Sequence, residues 1–218
     1  MGIARLGKGV VAVAAATMVA SGLAAAPAAA HGKSKPLGTR SLAAVLTADK
    51  SGFDRNGRDF DILTAAVLAV LKAKPASPVG VLTNGKTALT AFIPNDRAFE
   101  RLVADITNSK RLPSEKKAFT AVAGLGINTV ESVLLYHVVP GATIDRRAAL
   151  RSDGAKLTTA TGARITVDVT GCWGWRGVKL IDADRNDRNP RVVKFNINKG
   201  NRQIAHAINR VLRPVDLP

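Results

Sequence analysis

Cysteine is nearly missing from this chain. Cys172 is the only one in 218 residues, so no disulfide can close within a chain and stability has to come from packing. A thiol-based metal centre is also excluded, because Cys172 has no cysteine or histidine companion at ligand spacing. A free cysteine is commonly buried as a small hydrophobe, and that is the expectation for Cys172. The other reading is an odd thiol that pairs between chains. Aromatic residues are sparse at 4%, with one tyrosine, Tyr136, and two tryptophans, Trp173 and Trp175. Acid is short: 16 Asp and Glu stand against 32 Lys and Arg, a formal net charge of +16. Such a chain attracts polyanions, although a solvated basic surface accounts for the same composition. Histidine appears three times, at His31, His137 and His206. No serine, cysteine or acid that would make a catalytic base of one of them is recognisable beside it. No catalytic residue, metal ligand or cofactor is therefore assigned, and the chain does not read as an enzyme.

Long apolar runs are absent beyond the first thirty residues. Arg5 and Lys8 precede an Ala- and Val-rich run from Gly9 to Ala20, broken at Ser21 and Gly22. Ala28, Ala29 and Ala30 then supply small residues at cleavage positions. This is the pattern of a secretory signal peptide over 1–30, cut before His31. The run is short for an uncleaved anchor, which needs about 20 apolar residues, so no membrane span is expected after cleavage. Export narrows the polyanions to a cell-wall polymer, an acidic glycan, anionic lipid or extracellular DNA. Residues 31–40, rich in Gly, Lys, Ser and Pro, read as a flexible lead-in. Residues 41–218 form one domain.

The most structured stretch is Val130–Gly141, VESVLLYHVVPG. Val130, Val133, Leu134 and His137 fall at i, i+3, i+4 and i+7, one side of a helix. Two valines and a Pro-Gly turn signal follow. A helix thus runs into a short buried strand, with His137 at the junction. On an apolar face, a histidine is expected to be a core residue with bonded nitrogens. Elsewhere, Asp61 is expected to cap a helix carrying Ile62, Leu63, Ala66, Val67, Val70 and Leu71. Thr87–Ile93 reads as a strand broken by Pro94-Asn95-Asp96, where Asn95 or Asp96 caps a helix burying Phe99, Leu102, Val103 and Ile106. Asn128 or Thr129 should cap the central helix, with Glu131 in its first turn favouring the dipole. The second half is strand-like: 155–159, 163–169, 178–183, 192–197, and an alternating run through Ile204, His206 and Ile208. Helices first and strands after indicate an α+β fold.

Three of these stretches together resemble a fasciclin (FAS1) domain. Leu89–Phe99, LTAFIPNDRAF, is similar to the family's strand–proline–helix signature. Leu134–Gly141, LLYHVVPG, is similar to its Tyr-His signature. Asn201–Pro214, NRQIAHAINRVLRP, is similar to its second signature, with Arg202 where Gly is preferred, Ala205 inside the Ile-His pair and Asn209 in place of the usual Asp. The segments Lys110–Lys117 and Asp182–Pro190 have no clear family counterpart. The resemblance implies an α+β wedge of about seven strands with helices packed alongside, and an extracellular adhesion or matrix module rather than a catalyst. Its motif residues carry over to Pro94, Asn95, Asp96, Phe99, Tyr136, His137 and His206, in a structural or an adhesive role.

Three further features bear on binding. Basic residues cluster at Lys110, Arg111, Lys116 and Lys117, at Arg146, Arg147 and Arg151, and at Arg185, Arg188, Arg191 and Lys194, and these clusters are candidates for a polyanion-binding face. Trp173 and Trp175, set among glycines, either pack locally around Cys172 or offer a stacking platform for a sugar or a flat apolar ligand. Asp182-Ala183-Asp184-Arg185-Asn186 opens like a calcium loop, but Asp187 stands at the glycine position and Val193 at the final acid, so a solvated loop is expected. The resulting expectation is a secreted binding or adhesion module whose partner is a cell-surface protein or an anionic glycan or cell-wall polymer. The alternative is a soluble carrier of a small apolar ligand.

Overall fold

The computed structural model describes residues 36–172 and 175–215. Residues 1–30, expected to be a signal peptide, the first half of the lead-in and Trp173 lie outside the described residues. The elements are helices α1 (Leu42–Leu46), α2 (Asp61–Ala73), α3 (Asp96–Ile106), α4 (Glu115–Gly124), α5 (Ile127–Tyr136) and α6 (Arg146–Ala149), a 3-10 turn at Pro78–Thr83, and seven strands. The strands are β1 (Leu89–Pro94), β2 (Val138–Pro140), β3 (Lys156–Thr158), β4 (Arg164–Thr170), β5 (Gly177–Ile181), β6 (Val192–Ile197) and β7 (Gln203–Ile208). The fold is α+β, with sheet orders β2-β1-β7-β6 and β3-β4-β5.

Strand β1 is an unbroken apolar run, buried at every residue, as a strand covered on both faces should be. It pairs antiparallel with β2 and parallel with β7, the register running from Leu89 opposite Gln203 to Pro94 opposite Ile208. Leu89, Ala91 and Ile93 face a core made with α2, α3, α4 and α5. Phe92 points the other way, into a second core with Ile165, Val167, Val178 and Leu180 of the three-stranded sheet. Strand β7 alternates in sequence, yet it too is buried throughout, because both of its faces are covered. Gln203 is accommodated there by donating to the carbonyls of Val81 and Asn84 at 2.8 and 2.9 Å and accepting from Leu42 N.

Two caps differ from expectation. Asp61 is the first residue of α2 and caps nothing. The carboxylate of Asp96 does that work from the start of α3, accepting from Asp61 N at 3.0 Å and Ile62 N at 2.8 Å. Helix α5 begins after Gly126, at φ 86°, so neither Asn128 nor Thr129 caps it. Glu131 consequently sits beyond the first turn and pairs with Lys74 and Ser77. Asn95 does cap α3, accepting from Ala98 N at 3.0 Å.

Candidate functional site

Tyr136 and His137 end α5 with their side chains turned into the protein. Tyr136 is fully buried. Its hydroxyl donates to Arg164 O at 3.1 Å and accepts from Ala183 N at 3.2 Å, tying α5 to β4 and to the loop after β5. Burial, with the nearby Asp182 charge, pushes the phenol up to about 12. His137 Nδ1 donates to Val133 O at 2.7 Å, and Nε2 accepts from Leu212 N at 2.9 Å. That pair of partners fixes the neutral Nδ1–H tautomer. Burial pushes the imidazole down to about 4, against the smaller opposing effect of the Val133 bond.

His206 repeats the arrangement with the tautomer reversed. Nε2 donates to Ile144 O at 2.8 Å and Nδ1 accepts from Asn196 N at 3.2 Å. Its ring is flanked by Phe92 and Phe195 at 5.8 and 5.3 Å between centroids, and burial lowers its pKa. Every imidazole nitrogen of the two residues is thus bonded to backbone. Pro94, Asn95, Asp96 and Phe99 are likewise buried, at the strand-to-helix turn. The family-motif residues are interior, and of them Asn95 alone also borders a surface groove.

The surface offers charge. Two adjoining grooves, of about 880 and 660 Å³, share Arg101 and Asn209. The first is lined by Arg55 and Arg58 of the loop before α2, Arg97 and Arg101 of α3, and Lys194 of β6. The second adds Lys179, Arg188, Arg191 and Arg210, with Asp187 as its one acid. Asn209 organises the floor: its carbonyl accepts from Arg101 Nη1 at 2.9 Å and its side chain accepts from Arg191 N at 2.8 Å. Burial, followed by the repulsion of Arg210 and Arg97, lowers the pKa of Arg101. A groove that presses guanidinium groups together is built to receive negative charge.

Only part of this was foreseen. Of the three basic clusters, the one around Arg188, Arg191 and Lys194 enters the groove. Arg185 lies on the same loop outside its lining. Arg146, Arg147 and Arg151 sit apart on and after α6, where Arg146 covers the Phe195 ring at 5.6 Å. Arg97 and Arg101 were missed, although a four-residue spacing puts them on one face of α3, away from Phe99 and Leu102.

The remaining candidates resolve plainly. Asp182 accepts from Arg213 N at 2.9 Å, and Asp184 and Asp187 pair with the Arg213 guanidinium. That loop is consumed in holding a buried arginine. Cys172 is exposed, contrary to expectation, because it lies in the connection after β4 rather than in a core strand. Gly171 there has φ 98°, and a Cβ on it would meet Trp175 O. Trp175 is 87% exposed. The enclosed apolar hollows beside His137 measure only about 30 and 20 Å³, whereas small-molecule sites span roughly 300–1,000 Å³. Among the described residues no single helix is long and apolar enough to cross a membrane.

A helical layer and two sheets, tied together through buried histidines, define an α+β domain. The fasciclin domain family model matches residues 64–214, and the chain belongs to that family. Fasciclin domains are typically extracellular or cell-surface modules, often related to adhesion. Among solved structures, the chain is similar to a FAS1 domain pair from the insect cell adhesion molecule fasciclin I. The identity is 14% and the TM-score 0.46, over 73% of this chain and 46% of the other. The chain thus spans about half the length of that domain pair. No curated protein matches the sequence significantly.

Proposed function

We propose that this protein is an exported binding module that attaches to anionic polymers of the cell surface or wall through the groove centred on Arg101. One observation carries the reading: arginines and lysines from five separate segments of the chain line two adjoining grooves that share Arg101 and Asn209, with Asp187 as the sole acid in the lining; Arg97, Lys179 and Arg210 also pair with Glu100, Asp168 and Asp105 beside it. Asn209 is consistent with the reading, since the side chain that accepts from Arg191 N on the groove floor is a neutral amide and adds no negative charge there. The signal-like N-terminus and the extracellular habit of fasciclin domains support an encounter outside the cytoplasm. The small size of the apolar hollows favours this reading over a ligand carrier, and the backbone-bonded imidazoles favour binding over catalysis.

Heparin is a suitable probe. The mature protein is loaded on immobilised heparin at 50 mM salt and eluted by gradient. Attachment at about six charged contacts weakens by roughly 10³-fold or more between 50 and 200 mM salt. Expected is retention beyond physiological salt on heparin and on teichoic or polyuronic acid. Elution at low salt from all three overturns the assignment.

A further inference from the structure

The chain is poor in acid, yet five of its 16 carboxylates meet in one place. Asp59, Asp96 and Glu115 present ligand oxygens within 4.8 Å of one another, and Asp54 and Asp61 form a second such group with Asp59. Among the described residues none of the five enters an ion pair. Glu115 is 1% exposed and neither of its carboxylate oxygens has a hydrogen-bond partner. The Asp54 backbone amide faces it without completing a bond. Asp59 Oδ1 and Asp61 Oδ2 are also buried and unpartnered. Buried polar atoms are nearly always satisfied, so four orphaned carboxylate oxygens in two groups that share Asp59 call for a counter-charge.

The protein supplies too little of it. Helices α2, α3 and α4 all start here, at Asp61, Asp96 and Glu115. Three helix N-termini contribute about half a charge each, against five carboxylates. Burial, with Asp59 adding to it, pushes Asp61 up to about 6 and Asp96 to about 8, and burial pushes Glu115 to about 7. The donors are oxygen only, with no histidine or cysteine. That set suits a hard cation, and a flexible, carboxylate-rich one suits Ca²⁺ better than Mg²⁺, which keeps more of its water. The Asp182–Asp187 loop, whose sequence looked more like a calcium loop, has given its acids to Arg213.

We infer that Asp59, Asp96 and Glu115, with Asp61 beside them and Asp54 at the rim, form a calcium-binding site that clamps the loop before α2 onto the starts of α3 and α4. This site stands apart from the groove reading and does not depend on it.

The test uses mature protein stripped with chelator. Calorimetric titration with CaCl₂ is expected to give one site with Kd at or below about 1 mM, the range of extracellular calcium modules. At 10 mM Ca²⁺ the melting temperature should rise by about 5–10 °C if Kd is near 0.1 mM. Glu115→Gln and Asp59→Asn should each abolish both signals, while Asp153→Asn, outside the cluster, keeps them. Absence of heat and of a thermal shift in the wild-type protein overturns the inference, and so does a calcium response that survives both cluster variants. The wild-type measurement decides the matter even if a variant fails to fold.

Discussion

Replacing His137 with alanine tests the central packing argument. The substitution strips Leu212 N of its acceptor and Val133 O of a donor, both in the interior. An orphaned buried polar group costs about 1–3 kcal/mol, and truncating a buried ring adds a cavity cost of similar size. The sum is about 3–5 kcal/mol, which for a domain this long lowers the melting temperature by about 10 °C. A second signature separates the imidazole from mere bulk. In the fold His137 titrates at about 4, below its ordinary 6.5, because burial penalises the cation. Between those values the unfolded chain binds a proton that the folded one refuses, so stability falls as pH falls. The gap of about 2.5 units, at 1.36 kcal/mol each, amounts to about 3 kcal/mol lost between pH 6.5 and 4. Alanine has no such dependence. Urea unfolding of both proteins from pH 7 to 4 should therefore show the wild-type advantage shrinking by roughly 2–3 kcal/mol, while other titrating groups cancel in the difference. An advantage that stays constant across that range refutes the assignment of His137 as a neutral tie between α5 and the C-terminal segment.

Three other outcomes are expected. Tyr136→Phe should destabilise by about 1–3 kcal/mol without changing the secondary structure, since it leaves Arg164 O and Ala183 N unpaired; denaturant unfolding reads this. Arg58→Glu combined with Arg188→Glu should move heparin elution to lower salt, whereas Arg147→Glu combined with Arg151→Glu, the same change of charge outside the groove, should move it less; equal shifts would mean that only net charge matters. Cys172 should react with a thiol reagent in the native protein as completely as in urea, because it is exposed; protection in the native state would place it in a core or in an interface between chains.

The elements near in sequence were the most legible. Asn95 caps a helix that starts one residue later, and the apolar spacing of Val130, Leu134 and His137 marks an interior face, because both signals act within a few turns of chain. The misses involve distance. Asp96 caps α2 from 35 residues away, and no local pattern announces that a neighbouring helix will provide a cap. Gly126, with its positive φ, started α5 two residues before the polar pair that looked like its start. Cys172 was misjudged from a residue-type preference, which carries no knowledge of where a hairpin turns. The basic groove was half visible. Arg97 and Arg101 share a helix face by spacing alone, but only the parallel pairing of β1 with β7 carries that face to Asn209 and Arg210.

The short loop before α2 joins the two surface features. Arg55 and Arg58 line the groove, while Asp54, Asp59 and Asp61 turn toward the carboxylate cluster. Neighbouring residues of one loop thus contribute to two clusters of opposite sign. Asn56 links the two sides, accepting through its backbone carbonyl from Asp59 N while its side chain donates to Asp59 Oδ2 at 2.8 Å. The loop is also held by Gly57 O, which accepts from Arg97 N at 2.9 Å, and a Cβ at Gly57 would press on the Arg97 side chain. Neutralising the inner acids would remove their mutual repulsion and would leave the arginines of this loop in the groove. Calcium and a polyanion would then act on opposite sides of the same few residues. Chelator should lower heparin retention of the wild-type protein by more than that of Glu115→Gln, and identical responses of the two would sever the connection.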